Sequence, residues 1–258
     1  MTPRVYILAT ARNPRLLKAT LIVFKTLRVG FPTFHVTVVG NGLCGDSEEQ
    51  VMRHALDSGC SFVSQGYVSH DQWIEKLLFE NHEPFWICDT DIIFKLSVEG
   101  WTFMEGTRFS GRFESGFYEE WTGTHHMERL HTCLMYFNPV AVRDAVKRWT
   151  EKFPLPWRTT AMFPLVRQNF IPTSGTTHFY DTCTGLHHAI CGTPFTSEQD
   201  SAFEHIHAAT YADVASKVPI EDLEKGFQAI YDNPAITHGL TLTQAVYYAQ
   251  RKEKFVYG

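Results

Sequence analysis

The stretch Phe85-Trp-Ile-Cys-Asp-Thr-Asp-Ile-Ile-Phe94 combines an apolar run of strand length with two aspartates that follow it directly. An apolar run of this length is typical of a buried strand. Two carboxylates separated by one residue, Asp89 and Asp91, lie on the same side of an extended chain. At the carboxyl end of a strand they project into the crevice where open α/β sheets bind ligands. The pattern therefore predicts that both aspartates bind one divalent cation.

The same pair has a plainer interpretation, because an Asp-x-Asp that arises by chance usually caps a turn. Two strand–helix units precede the pair and Ile92-Ile93 follows it, which favours the functional interpretation. A hard cation held by carboxylates neutralises a bound diphosphate and stabilises the charge that grows on a phosphate leaving group. A nucleotide sugar therefore fits this pattern as a substrate.

The first half of the chain alternates strand-like and helix-like segments, which predicts an α/β fold with a mixed, mostly parallel sheet flanked by helices. The predicted strands are residues 5–9, 35–39, 61–63, 85–88, 108–113 and 132–137. Helix starts are indicated by the pairs Asn13 with Pro14, Ser47 with Gln50, Ser69 with Gln72 and Asn138 with Pro139.

The second half of the chain is less regular. Residues 154–196 are rich in Pro, Gly, Thr and His, which predicts long loops around an acceptor site. Residues 114–126 mix aromatic, acidic and His side chains, as carbohydrate sites do, although a weakly packed loop has the same composition. We interpret residues 1–258 as one domain, in which residues 1–95 bind the nucleotide sugar and residues 96–258 bind the acceptor and supply a C-terminal metal-site loop.

Composition limits the class of protein. With 44% hydrophobic residues, 20% charged residues and no uninterrupted apolar run of about 18 residues, the sequence predicts no membrane span. The N-terminus lacks the order of a signal peptide, so a cytoplasmic location is expected. Six scattered cysteines without a Cys-x-x-Cys pair indicate neither a zinc knuckle nor a disulfide framework. The net charge of −5 argues against a general nucleic-acid coat protein.

The quoted stretch resembles the DxD strand of GT-A glycosyltransferases, in particular the glycogenin-like and bacterial lipopolysaccharide galactosyltransferase group. His131-Thr-Cys-Leu-Met-Tyr-Phe-Asn138 is similar to the strand that follows the DxD region in that group. Ser197-Glu-Gln-Asp200 resembles its Asp-Gln-Asp helix start, and Thr237-His-Gly239 resembles its late His-containing loop. The resemblance implies a Rossmann-like GT-A fold and transfer of a hexose from a nucleotide sugar, with a UDP-linked sugar as the expected donor.

The resemblance also implies roles for individual residues. Asp89, Asp91 and His238 would bind the divalent metal, Mn²⁺ or Mg²⁺. Asp200 would contact the sugar or act as general base, whereas its plainer interpretation is a capping acid three residues after Ser197. Asp181 competes with Asp200 for the same role.

Five residues are candidates for donor binding. Thr10 and Arg12 follow the first strand at a helix N-terminus, which suits an anion or a base edge. Asn41 follows the second strand and offers an amide to a base, although it is equally a turn former. Lys76 lies where the resembled family has a basic residue, or it is simply solvated. Thr90 lies between the two aspartates.

The sequence leaves two kinds of acceptor open, a saccharide and a hydroxymethylated DNA base. DNA would be bound through Arg143, Lys147 and Arg148 on one helix, although these residues are equally explained as a solvated helix face. Two other functions are compatible with part of the sequence pattern. A phosphohydrolase of the haloacid-dehalogenase type also uses two aspartates with magnesium, but its motif continues with Gly and Thr or Val rather than with Ile92-Ile93. A protein that binds nucleotide sugars without turnover is the third possibility.

Overall fold

The computed structural model of the chain describes residues 3–10, 14–120, 122–153, 163–173 and 175–205. In these ranges the helices are α1 (Pro14–Gly30), α2 (Gly45–Asp57), α3 (His70–Glu80), α4 (Pro139–Lys152), α5 (Phe163–Val166), α6 (Thr184–Ile190) and α7 (Ser197–Ser201). None of the helices in these ranges combines the length and apolar character needed to cross a membrane. The strands are β1 (Arg4–Ala9), β2 (His35–Asn41), β3 (Ser61–Gln65), β4 (Phe85–Cys88), β5 (Ile92–Phe94), β6 (Phe109–Glu114), β7 (Phe117–Glu119), β8 (Thr124–His126), β9 (Arg129–Phe137), β10 (Asn169–Thr173), β11 (Thr176–Tyr180), β12 (Thr193–Pro194) and β13 (Phe203–His205).

The chain divides into two compact units. The first unit contains the described residues up to 67, residues 89–101 and residues 198–205. The second unit contains residues 68–88 and the described residues from 102 to 197. The two aspartates after β4 therefore belong to the first unit.

The first unit is built on a parallel sheet. β1 pairs with β2 and β2 pairs with β3, both in parallel register. The apolar residues of β1 and β2 are buried, as the 0% exposure of Val5, Ile7 and Val38 shows. Strands buried in this way need cover on both faces, and the crossover segments that form α1 and α2 are the usual source of it.

A short antiparallel sheet in the first unit fixes the segment that follows the aspartates. Phe94 of β5 pairs with Phe203 of β13, and Ile92 pairs with His205. The backbone N–H of Phe94 donates to the Thr26 hydroxyl of α1 at 3.2 Å. A Cβ atom on Gly30, the last residue of α1, would lie 2.4 Å from the Phe94 ring. The helix end therefore packs directly on β5.

The second unit contains a mixed sheet with the strand order β12-β6-β9-β4. β9 pairs antiparallel with both β4 and β6, and β12 pairs parallel with β6. One strand of four, β9, therefore runs against the others. The rings of Phe85 and Phe109 lie 5.5 and 5.9 Å from the ring of Phe137, all three fully buried. Together with the parallel strands of the first unit, this confirms the predicted α/β class with a mixed, mostly parallel sheet.

A second sheet in this unit has the strand order β10-β11-β8-β7. The prediction of long loops over residues 154–196 is therefore wrong where α5, β10, β11 and α6 form, and residues 154–162 lie outside the described residues. The β10–β11 hairpin turns at Gly175, whose φ of +91° suits a residue without a side chain. Its strands are rich in Thr and aromatic residues, which favour extended backbone.

The predicted helix starts have different outcomes. The Asn138 side chain accepts a hydrogen bond from the Ala141 backbone N–H at 3.1 Å, and the Ser69 N–H donates to Gln72 Oε1 at 3.2 Å, which confirms both. The predicted start at Ser47 is wrong because α2 begins at Gly45. The Ser47 hydroxyl instead donates to the Cys44 carbonyl at 2.9 Å, within the first turn. Asn13 lies outside the described residues.

We expect the substitution Gly30→Ala to destabilise the protein, because the added methyl group meets the Phe94 ring at 2.4 Å. Overpacking of this kind costs about 1–3 kcal/mol, although alanine normally favours a helix over glycine by about 1 kcal/mol. The matched control is Gly66→Ala, where the added Cβ meets no atom within 4 Å. Urea unfolding of both variants tests this, and an unchanged or raised stability of Gly30→Ala would contradict the packing.

Candidate functional site

The segment Asp89-Thr90-Asp91 leads from β4 into β5. Asp91 is buried, with 3% of its surface exposed, and Asp89 and Thr90 are half-buried. Asp91 Oδ1 lies 3.3 Å from His205 Nε2 but makes no hydrogen bond with acceptable geometry. Burying a carboxylate oxygen without a hydrogen-bond donor is costly unless a positive charge compensates it. The site therefore suits a cation.

The register of the short antiparallel sheet brings His205 to this position. His205 of β13 pairs with Ile92, the residue that follows Asp91. Its imidazole is buried, with a side-chain exposure of 8%. From the sequence we expected His238 as the imidazole ligand, and that residue lies outside the described residues. His205 was missed because it is one of thirteen histidines, and its only signal was its place in a short apolar strand soon after Asp200.

A polar cluster lies at the carboxyl ends of the parallel strands in the same unit. The Asn41 side-chain amide donates to the Thr10 hydroxyl at 3.5 Å, and the Gln65 amide donates to Asn41 Oδ1 at 3.4 Å. Asn41 is 1% exposed and lies within β2, one strand residue beyond Gly40, rather than in the turn that was predicted. The structure thus brings two predicted donor-binding residues, Thr10 and Asn41, together with Gln65.

The turn that follows β2 packs against Tyr67, which comes two residues after the end of β3. The Gly42 N–H donates to the Gln65 carbonyl at 2.9 Å, and Gly42 has a φ of +67°. A Cβ atom on Gly42 would lie 2.9 Å from the Cβ of Tyr67, so the two residues are in close contact. The Tyr67 side chain is nevertheless 57% exposed. Tyr67 thus offers an exposed aromatic side chain two residues from the Gln65 amide, and such groups can bind a planar, hydrogen-bonding ligand.

The two candidate catalytic carboxylates have different environments. Asp200 lies on α7 in the first unit and is half-buried. Since α7 begins at Ser197 itself, Ser197 does not occupy the preceding position that the predicted capping box requires. Asp181 lies in the second unit and pairs with Arg129. It also accepts hydrogen bonds from the Gln168 amide at 2.6 Å and the Thr182 N–H at 2.7 Å, which is a structural role.

The other predicted site residues are placed as follows. Lys76 of α3 pairs with Glu80 at 3.9 Å and is 56% exposed, so it has a solvated helical partner. Arg143 of α4 donates to the carbonyls of Leu78 and Asn81, where it satisfies the C-terminal end of α3. Lys147 and Arg148 are exposed. Arg12 lies outside the described residues.

No protein-family model and no curated protein matches the sequence. Similar solved structures include the galactosyltransferase LgtC in complex with donor and acceptor sugar analogues, at 10% identity and a TM-score of 0.44, over 75% of this chain and 73% of that one. The glycosyltransferase GlyE of Streptococcus pneumoniae TIGR4 has 8% identity and a TM-score of 0.47, over 86% of this chain and 52% of that one. A cytidylyltransferase from Leptospira borgpetersenii serovar Hardjo-bovis has 11% identity and a TM-score of 0.46, over 93% of this chain and 98% of that one.

These three proteins include two classes of enzyme, and this chain spans about half the length of GlyE. Identities and TM-scores this low do not assign an activity to the chain. The activity has to be inferred from the chemistry of its own residues.

We expect Asp181→Asn to destabilise the protein, because the Arg129 guanidinium, with a side-chain exposure of 16%, loses one of its two carboxylate partners and keeps Glu114 at 2.6 Å. Loss of a charge-assisted contact of this kind costs about 1.5–3 kcal/mol. Differential scanning calorimetry measures this, and an unchanged melting temperature would contradict it.

Asp200→Asn should change the melting temperature little. If Asp200 is the general base, the same substitution lowers the rate of sugar transfer about 100-fold or more. Normal transfer by a stable Asp200→Asn variant would contradict that role.

Proposed function

We propose that the chain is a metal-dependent glycosyltransferase that moves a hexose from a nucleotide sugar to an acceptor hydroxyl. The observation that carries the proposal is the buried Asp91 carboxylate, which lies beside an imidazole at the end of an apolar strand. Its Oδ1 atom has no hydrogen-bond donor, so the arrangement is incomplete without a positive charge. The sequence resemblance to GT-A glycosyltransferases points to the same conclusion independently of this geometry.

The chemical types of the proposed ligands suit a hard or borderline divalent cation. Asp89 and Asp91 offer carboxylate oxygens, which suit Mg²⁺ and Mn²⁺, and His205 offers an imidazole nitrogen. His238 remains a further candidate ligand from the sequence. When bound, the cation would neutralise the diphosphate of the donor and stabilise the charge on the departing nucleotide. The metal ligands of the protein would thereby also orient the donor.

The nucleotide would bind at the polar cluster of the first unit. The Gln65 amide, which is half-buried, can present its oxygen and its second N–H to the edge of a pyrimidine base. Asn41, which accepts a hydrogen bond from Gln65, would lie directly behind it and complete this polar site. The exposed Tyr67 ring would stack on the face of that base. UDP is the nucleotide that we propose, with Thr10 as an additional hydrogen-bonding group. Thr90, Arg12 and Lys76 remain proposed donor-binding residues from the sequence alone.

The proposed group that acts on the acceptor or the sugar is the carboxylate of Asp200. Asp200 is half-buried in the same unit as Asp89 and Asp91. Asp181 is the weaker candidate because its ion pair with Arg129 and two short hydrogen bonds stabilise its charge and occupy its oxygens. A base in that state would be a poor proton acceptor.

We expect Mn²⁺ to raise the melting temperature of the wild-type protein and to leave that of the Asp91→Asn variant unchanged. A cation at about 100 times its dissociation constant adds about 2.7 kcal/mol to the stability of the folded state. Without metal, Asp91→Asn should be at least as stable as the wild type, because it removes a buried charge that lacks a hydrogen-bond donor.

The matched control is Asp57→Asn, an exposed carboxylate at the end of α2 whose loss should leave the response to Mn²⁺ intact. Differential scanning calorimetry with Mn²⁺ and with a chelator measures both effects. A response to Mn²⁺ that is undiminished in Asp91→Asn would remove Asp91 from the metal site and with it the main support for the proposed function.

A further inference from the structure

The second sheet of the second unit carries a row of four rings, one contributed by each strand, that cross-strand pairing places side by side. Phe170 of β10 pairs with Phe179 of β11, Phe179 pairs with His126 of β8, and His126 pairs with Phe117 of β7. Cross-strand partners lie on the same face of a sheet. These four residues form the aromatic row.

The rings of the aromatic row are in contact from one edge of the sheet to the other. The ring centroids of Phe170 and Phe179 are 4.6 Å apart and stacked, and those of Phe117 and His126 are 4.2 Å apart and stacked. The His126 and Phe179 rings meet edge to face at 5.2 Å. Four strands at the usual spacing make this row about 14 Å long.

The aromatic row is open to solvent at both ends. Phe170 is 61% exposed and Phe117 is 52% exposed, whereas His126 and Phe179 between them are half-buried. Cross-strand ring pairs stabilise a sheet, but that role needs no such exposure. Exposed apolar surface that is contiguous in this way marks a binding site more often than a scattered apolar residue does.

Polar groups lie along the aromatic row on the same face. On β7, β8 and β11, the residues two positions from the aromatic row are Glu119, Thr124 and Thr177. Glu119 and Thr177 both pair with Thr124, so the three lie side by side on the same face. Glu119 Oε2 lies 3.8 Å from His126 Nε2 and accepts a hydrogen bond from the Thr122 hydroxyl at 2.5 Å. The face thus offers ring surfaces beside a carboxylate and hydroxyl groups.

The charge of this sheet excludes one class of ligand. Residues 117–126 and 169–180 contain two glutamates, Glu119 and Glu120, and no Lys or Arg. Proteins that stack nucleic-acid bases on aromatic rings also need cationic side chains for the phosphates. A polyanion is therefore disfavoured on this face, and a neutral ligand with apolar C–H faces and hydroxyl groups fits it.

We propose that the aromatic row binds a neutral oligosaccharide. Pyranose rings present their C–H faces to the four rings, and their hydroxyl groups donate to the Glu119 carboxylate and to threonine hydroxyls. A row of about 14 Å spans several sugar units rather than one. The proposal that this oligosaccharide is the acceptor rests on the proposed glycosyltransferase function. The binding of an oligosaccharide to the aromatic row does not depend on that function.

The test uses the full chain without donor nucleotide or metal. A glycan array of neutral α- and β-linked oligosaccharides of glucose, galactose, mannose, xylose and N-acetylglucosamine identifies a binder, and saturation-transfer NMR then locates its contacts. We expect transfer to the C–H protons of the sugar rings. Phe117→Ala and Phe170→Ala should each weaken binding about tenfold, since aromatic anchors dominate such contacts.

Two further variants separate ring contacts from sheet stability. Phe170→Leu keeps an apolar strand side chain and should keep the melting temperature, but it loses the ring face and should bind as weakly as Phe170→Ala. The control Phe153→Ala removes a ring that is 50% exposed at the end of α4 and belongs to none of the four strands of this sheet. This variant should bind as the wild type does.

Several results would overturn the proposal. One such result is that no neutral glycan on the array binds at about 1 mM, a concentration at which even a complex with a dissociation constant of about 1 mM is half-formed. Another is binding that Phe117→Ala and Phe170→Ala leave unchanged. Row-dependent binding of an oligothymidine would favour a nucleic acid instead. Dimerisation in analytical ultracentrifugation that both variants abolish would favour a second copy of the chain. Donor binding is followed separately by the shift of the melting temperature with UDP-hexose, so its failure counts only against the proposed function.

Discussion

The buried carboxylate of Asp91 constrains the whole first unit. It lies where an apolar strand ends, and the next three residues form β5, which pairs with β13 on one side and packs against the end of α1 on the other. The close approach of Gly30 to the Phe94 ring leaves β5 little room to move. With 3% of its surface exposed, Asp91 has little contact with water, so the charge of its carboxylate needs compensation inside the protein. In our proposal, a divalent cation bound by Asp91 and by the neutral imidazole of His205 supplies that compensation.

The two units carry different chemistry. The first unit holds the aspartates, the imidazole and the polar cluster around Asn41, groups suited to a metal ion, a diphosphate and a base. The second unit holds the aromatic row and the ion pair of Asp181 with Arg129. In the proposed reaction, the first set binds the nucleotide sugar and the second binds the acceptor saccharide. Arg143, expected as a nucleic-acid contact, instead satisfies backbone carbonyls at the end of α3. Lys147 and Arg148 are exposed on α4, where the acidic Asp144 and Glu151 are exposed as well.

Local signals in the sequence identified much of the fold. The apolar run of residues 85–88 gave β4 with the correct bounds, and the side chain of Asn138 caps α4 as its residue type predicts. The helix start predicted at Ser47 was wrong because a serine hydroxyl can donate a hydrogen bond to a nearby backbone carbonyl as readily as it can cap a helix. The strands β10 and β11 were missed because Pro, Gly and Thr are as common in loops as in a short hairpin.

The candidate site divides in the same way. Asp89 and Asp91 are one residue apart in sequence and were predicted from that spacing. His205, in contrast, reaches Asp91 through an antiparallel register that no local pattern specifies. The aromatic row is likewise a product of register across four strands that are up to about 60 positions apart in sequence. Non-local pairing of this kind becomes visible only in the folded chain.

The most direct test of the account is turnover of a UDP-hexose by the wild-type protein, followed by ³¹P NMR with added Mn²⁺ and with a chelator. The account predicts release of UDP that requires the metal and accelerates when a saccharide acceptor is present. Conversion of the donor to UMP and a hexose phosphate, or release of UDP that the chelator does not reduce, would contradict it.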